Sequence, residues 1–349
     1  MAIDPALLVL IITIITVLFF DFTNGFHDSA DMIATCIAAR AMKPAMAIFL
    51  VTTFTFIGPF VGGLAVADTI GQFVHIDNQA PLFAECIVLA SILAAVFYNL
   101  LTWKLGLPTS SSNSLVGGLV GSGLYAMGID SINWGFSALL DWRLQGVVKI
   151  LIGLFFSPLA GFLAGFLLMG IFLRFLRRLS FQGRKIFIIC QYFTTAGLGF
   201  THGTNDAQKG MGVIGMLLYT SGHSQQFTIP YWVIILCALS ITLGTLFGGW
   251  SIIKTMGFGI YKIRNIHSVA DQIGSALVIS AATAIGAPTS TTQVVTSTLL
   301  GVGAREKPRH VHWATAGNIV KGWLFNLPVS ALIGAFFTMI FMNLRGILL

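Results

Sequence analysis

Two acidic residues give the first indication of chemistry. Asp28 closes Thr23-x-Gly25-x-x-Asp28, and Asp206 closes Thr201-x-Gly203-x-x-Asp206, the same spacing at an offset of 178. Both stand in apolar surroundings, where an ionised carboxylate costs about 3 kcal/mol and marks an ion or proton path unless nearby N–H groups satisfy it. Asn24, Asn205 and Gln208 add carbonyl-type oxygens, the ligands that suit a hard cation such as sodium. A sodium or divalent metal ion, where one is carried, therefore falls to Asp28 and Asp206. His27 and His202 stand beside them, either as groups that exchange protons near neutral pH or as plain hydrogen-bonding residues. Glu85 and Asp271, at an offset of 186, form a further acidic pair near segment ends, divided between coupling-cation binding and structural hydrogen bonding.

A second pair of motifs offers hydroxyls. Pro108-Thr109-Ser110-Ser111-Ser112-Asn113 and Pro288-Thr289-Ser290-Thr291-Thr292-Gln293 repeat at an offset of 180, each beside an expected helix start. A helix N-terminus presents unpaired N–H groups and a partial positive charge. With the hydroxyls of Ser110, Ser111, Ser112, Ser290, Thr291 and Thr292 it can hold a tetrahedral oxyanion such as phosphate, assisted by Asn24, His27 and Asn205. The alternative is capping and close helix packing by small polar residues; duplication at symmetric positions favours the ligand site. Divalent phosphate beside ionised Asp28 and Asp206 gathers four negative charges, and two unit charges 4 Å apart repel by about 4 kcal/mol at an effective dielectric of 20. Lys209 and the helix dipoles balance part of this. The remainder calls for protons, sodium or a divalent metal travelling with the anion, and no cofactor.

These groups need a scaffold, and composition names its class. Of 349 residues only 9% are charged and 56% are hydrophobic, against about 25% charged in soluble chains. The apolar runs are about 20 residues long, enough for a helix to cross the hydrocarbon core, so the chain reads as an all-α polytopic protein of the lipid bilayer. The net charge of +7 is loop charge that sets orientation, not a nucleic-acid surface. The stretch 6–20 lacks a basic leader and a cleavage site, so it stays. Cys36, Cys86, Cys190 and Cys237 stand singly, without zinc or disulfide spacing.

The duplication extends over the whole chain. Gly58-x-x-x-Gly62-Gly63 with Thr69-x-Gly71 recurs as Gly244-x-x-x-Gly248-Gly249 with Thr255-x-Gly257, and Pro158 meets Pro328. The chain thus divides into halves of about 1–178 and 179–349. Apolar segments fall at roughly 5–40, 45–66, 82–103, 108–126 and 146–173, then 187–218, 230–252, 268–286, 289–303 and 312–342. Five segments per half is odd, which predicts inverted-topology repeats with the site at their interface near the midplane. With both termini outside, 14 of the 19 basic residues fall inside, including Arg174, Arg177, Arg178, Arg184 and Lys185 in the loop 174–185, while Arg143 and Arg345 fall outside. That loop is cytoplasmic in this reading, and Asp4, Asp68, Asp77, Asp130 and Asp141 lie outside. A helix over 5–40 would be about 54 Å long, well beyond a core of about 30 Å, so a break is expected at Thr23-Asn24-Gly25. Segments 108–126 and 289–303 read as re-entrant half-helices, the first opening on Pro108.

At these motifs the chain resembles the inorganic phosphate transporter (PiT) family, which carries a Gly-x-Asn-Asp or Gly-x-His-Asp signature and a later Pro-Ser/Thr run in each half. Gly25-Phe26-His27-Asp28 and Gly203-Thr204-Asn205-Asp206 match the signature, and the two Pro-Ser/Thr runs match the second motif. The resemblance implies a cation-coupled symporter of the plasma (inner) membrane, importing inorganic phosphate, free or as metal-phosphate, by alternating access with H+ or Na+. It is a transport function and not an enzyme. Asp31 stands where the family commonly has Asn, and His27 resembles bacterial members that are proton-coupled or carry metal-phosphate. The short centre 174–185 implies a form without a regulatory insert. A sulfate or thiosulfate symporter of the same architecture, a channel and an intramembrane aspartyl protease are the competing readings. The sequence is compatible with a homodimer without requiring one.

Overall fold

The computed structural model describes residues 4–74, 80–175, 181–248 and 250–348. Asp77, Arg177, Arg178, Gly249, the boundary between the halves at 178, and the side chains of Arg184 and Arg345 lie outside that set. The first half runs α1 (Pro5–Ala38), α2 (Pro44–Val61), α3 (Ala65–Gly71), α4 (Pro81–Lys104), α5 (Ser111–Met127), α6 (Phe136–Leu140) and α7 (Gly146–Phe175). The second runs α8 (Phe181–Thr220), α9 (Tyr231–Phe247), α10 (Trp250–Phe258), α11 (Asn265–Ala284), α12 (Thr291–Glu306) and α13 (Trp313–Leu348). Without α6 the two orders match element for element. Helices α1, α2, α4, α7 and α13 carry windows long and apolar enough to cross a membrane. Helix α8 is less apolar because its middle is polar and buried, with His202, Asn205, Asp206, Gln208 and Lys209 all inside.

Packing exchanges partners between the halves. Helix α1 lies on α9 and α8 on α2, while the short α5 packs on α13 and the short α12 on α7. Neither half therefore closes its own core. The outward face of early α1 (Leu7, Leu8, Ile11, Ile12, Ile15, Phe19) is exposed, as suits lipid contact, whereas nearly all of 20–36 is buried.

The expected break in the first segment is not there. Helix α1 is continuous through Thr23-Asn24-Gly25, and α8 through Thr201-His202-Gly203. Continuity keeps every backbone group paired in a region without water. The glycines serve close approach instead: a Cβ on Gly25 would lie 2.0 Å from the Ile241 carbonyl oxygen of α9, and one on Gly203 2.1 Å from the Thr55 carbonyl oxygen of α2. At about 51 Å for α1 and about 60 Å for α8, both helices exceed the hydrocarbon thickness unbroken.

The two expected half-helices are present. At 17 and 16 residues, α5 and α12 rise only about 25 Å. Each ends near where its hairpin began. Residues just after α5 pair with those before α4, through the bridge of Val74 with Ile132 and Asn133 N–H donating to the Phe73 carbonyl at 2.8 Å. The end of α12 returns to the start of α11, where Glu306 pairs with Arg264 and accepts from the Tyr261 hydroxyl at 2.7 Å. Pro108 does not open α5, contrary to expectation, and Pro288 likewise precedes the cap of α12. Ser110 and Ser290 are the N-caps, their hydroxyls accepting from Asn113 N (3.1 Å) and Gln293 N (3.3 Å), since a serine oxygen satisfies an orphan N–H that a proline at the first position only avoids adding. The turns before them use Gly106 and Gly286, both at φ +67. Expected segments 45–66 and 230–252 also stop earlier, α2 at Val61 and α9 at Phe247, with α3 and α10 as separate short helices.

Candidate functional site

The middles of α1 and α8 meet the N-termini of α5 and α12 in a fully buried polar centre. Ser111 Oγ donates to Asn24 Oδ1 at 2.6 Å, and Asn24 Nδ2 donates to Asp206 Oδ2 at 3.3 Å. At the equivalent place in the other half, Thr291 Oγ1 lies 3.2 Å from His202 Nδ1, which is 3.4 Å from Asp206 Oδ2. A hydroxyl from each run thus reaches Asp206 through one intervening side chain. Asn24 and His202 occupy matching positions, as do His27 and Asn205, so each half supplies one His and one Asn in opposite order.

Asp28 joins the second run directly: Thr292 Oγ1 lies 3.0 Å from Asp28 Oδ1 and 2.5 Å from Asp31 Oδ2, and His27 Nδ1 lies 3.1 Å from Asp28 Oδ1. Ser112 Oγ donates to the Thr289 carbonyl at 2.6 Å, tying the two hairpin tips together. Among the described residues two groups of side chains offer ligand atoms within 4.8 Å of one another, His27 with Asp28 and Asp31, and Asp28 with His202 and Asp206. Asp28 belongs to both. Such sets of carboxylate oxygens and imidazole nitrogens fit a small cation. Lys209 Nζ is 2.6 Å from Asp206 Oδ1, the ammonium wholly enclosed.

Several expected site residues have other partners. Asn205 Oδ1 accepts from Thr289 N at 3.2 Å while its Nδ2 donates to Thr283 Oγ1 at 2.8 Å, so it braces the second hairpin tip. Gln208, expected to offer an oxygen to a cation, uses that oxygen to accept from Val66 N (2.9 Å) and Ala67 N (3.2 Å) at the start of α3. Glu85 is buried near the start of α4, about 20 Å of helical rise from Asn99 beside the α5 N-terminus. Asp271 approaches Thr35 and Ser275 and lies within Coulombic range of Asp31, with neither of its oxygens hydrogen-bonded.

The structure adds residues that the motifs do not mark. Asp21 is wholly buried, approached by the Cys237 thiol and in Coulombic range of Lys209 and Asp206. It stands seven residues, two turns, before Asp28 on the same face of α1, a periodicity that could have found it. Each hairpin tip also meets a short helix of the opposite half. Thr69 Oγ1 donates to the Gly286 carbonyl at 2.7 Å and accepts from Lys149 Nζ at 2.9 Å. At the far end Thr255 Oγ1 lies 3.4 Å from the Gly106 carbonyl. Beyond Thr69 opens a polar cavity of about 400 Å³, lined by Asp68, Gln72, Asn133, Gln145 and Lys149 among others. Lys149 therefore lines this cavity, in the first turn of α7.

Known proteins resemble this chain over most of its length. A model described as the phosphate transporter family matches residues 24–184 and again 176–334. The chain is 40% identical over 320 residues to a probable low-affinity inorganic phosphate transporter of Rhizobium meliloti (strain 1021), covering 91% of this chain and 92% of the relative. It is 39% identical over 336 residues to a protein of the same description from Bacillus subtilis (strain 168), covering 95% and 97%. Among solved structures, one described as the sodium-dependent phosphate transporter superposes with a TM-score of 0.75 at 24% identity, over 96% of this chain and 99% of that one.

Proposed function

The chain belongs to the phosphate transporter family, and from that premise we propose that it imports inorganic phosphate by cation symport with alternating access. The observation that carries this reading is the convergence of two hydroxyl-bearing helix N-termini and two buried carboxylates, one of each from either half, on a single centre. The anion would bind between the α5 and α12 N-termini, with Ser111 and Thr291 turning their hydroxyls from Asn24 and His202 toward it. Ser110, Ser112, Ser290, Thr292, His27 and Asn205 complete or brace its surroundings. Asp28 and Asp206 would hold the coupling cation, H+ or Na+, or a divalent metal travelling with phosphate.

Alternating access needs an end that opens and an end that closes. The contacts Thr69 to Gly286 and Thr255 to Gly106, at matching positions, are suited to be the two latches. The end bearing Arg174, Arg264, Arg305 and Lys307 would face the cytoplasm, with both termini outside and the halves acting as inverted repeats. Phosphate is distinguished from sulfate by competition. Uptake of labelled phosphate into proteoliposomes should persist largely intact with equimolar sulfate; full inhibition would overturn phosphate as the substrate.

A further inference from the structure

The offset of 178 that pairs Asp28 with Asp206 also pairs Asp31 with Lys209. The same helix position therefore carries opposite charge in the two halves. In the first half, Asp28, Asp31 and His27 form a three-ligand group. The single hydroxyl hydrogen of Thr292 cannot serve both carboxylates that it approaches, at 3.0 Å and 2.5 Å, and Asp31 Oδ1 is buried without a partner. Among the described residues neither carboxylate is ion-paired to a lysine or arginine; Lys209 lies within Coulombic range of Asp28 but pairs with Asp206.

Around Asp206 the balance differs, and the second carboxylate there, Asp21, comes from α1 of the first half. Asp206 and Asp21 are both wholly buried, and Lys209 Nζ lies 2.6 Å from Asp206 and within Coulombic range of Asp21. A lysine is almost never fully enclosed without a partner, and this one stands at the position equivalent to Asp31, a member of the first-half three-ligand group. We propose that Lys209 is a tethered coupling cation: its ammonium occupies the second-half counterpart of the first-half cation site. Each transport cycle then carries one free cation fewer than the symmetry of the sites would provide. The inference rests on the symport reading above and assigns its stoichiometry to a side chain.

The test replaces the tether by a cation ligand. In proteoliposomes, the cation-to-phosphate ratio is read from the phosphate gradient that just balances an imposed cation gradient. Lys209→Asn should raise that ratio by one sodium ion or proton and steepen the cation dependence of uptake, while Lys209→Arg should keep the wild-type ratio. An unchanged ratio in Lys209→Asn overturns the proposal. Should Lys209→Asn be silent in transport, sodium and proton stoichiometry on phosphate binding to the purified variant decides the matter. One additional cation bound supports the tether, and the wild-type number refutes it. Asp31→Lys supplies an independent arm by installing a second tether: phosphate binding should lose its cation dependence, and retention of the wild-type dependence refutes the idea. Wild-type protein that moved no phosphate would instead sink the transport reading itself, so the two failures are separable.

Discussion

Ser111 and Thr291 give the sharpest handle on the anion. They occupy the first residue of α5 and of α12, and each hydroxyl is held by one neighbour, Asn24 Oδ1 at 2.6 Å and His202 Nδ1 at 3.2 Å. A hydrogen bond from a hydroxyl to a charged group contributes about 1.5–3 kcal/mol, and about 1.4 kcal/mol is tenfold in affinity. Ser111→Ala and Thr291→Ala should each raise the half-saturating phosphate concentration by about ten- to 150-fold. Cation and phosphate binding are linked, so a weaker anion site lowers apparent cation affinity at low phosphate. The half-saturating cation concentration measured at saturating phosphate should move by less than threefold. Uptake into proteoliposomes at varied phosphate and varied cation reads both constants. A phosphate constant within twofold of wild type in both variants, or equal shifts in the two constants, would refute the assignment of these hydroxyls to the anion.

Other perturbations separate the remaining parts of the account. Asp28→Asn and Asp206→Asn should each abolish coupled uptake while the protein still elutes as a folded species from size-exclusion chromatography; near-normal uptake removes that residue from the mechanism. Gly25→Ala and Gly203→Ala place a methyl group about 2 Å from a carbonyl oxygen of the facing helix. They should destabilise by about 1–3 kcal/mol or more, seen as a lower melting temperature in detergent, whereas Gly317→Ala, which meets nothing within 4 Å, should not. Thr69→Val removes the contact to Gly286 and the acceptor of Lys149, together about 1–3 kcal/mol of bias toward closure of that end. In a background without native cysteines, a cysteine at Ala287, 3% exposed, should then react about fivefold faster or more with an impermeant maleimide added outside. An unchanged rate argues against a latch there.

Much of this design is readable in the residues because duplication writes each functional motif twice. The acidic pair, the hydroxyl runs and the shortness of 108–126 and 289–303 all follow from offsets and lengths. What no spacing discloses is which half completes which site. Thr292 reaches Asp28 across 264 positions, and Ser112 holds the other hairpin by a backbone carbonyl. Gly25 has the look of a helix breaker until the Ile241 carbonyl is set against it; the packing of α9 decides its role. Gln208 carries a ligand-type oxygen, yet α3 starts where that oxygen can cap it. Asp21 lies outside every repeated motif; its two-turn spacing from Asp28 hints at it, and its burial within Coulombic range of Lys209 gives it its partners. Local motif chemistry is a property of sequence, whereas the partner of each group depends on how the two halves interlock.

The central claim is coupled phosphate transport through one centre built by both halves. Its most direct test is labelled phosphate uptake into proteoliposomes of purified protein under separately imposed sodium and pH gradients. Phosphate accumulating inside above its outside concentration under at least one gradient, and collapsing when that gradient is dissipated, is the predicted result. Equilibration to the outside concentration and no further under both gradients would contradict it.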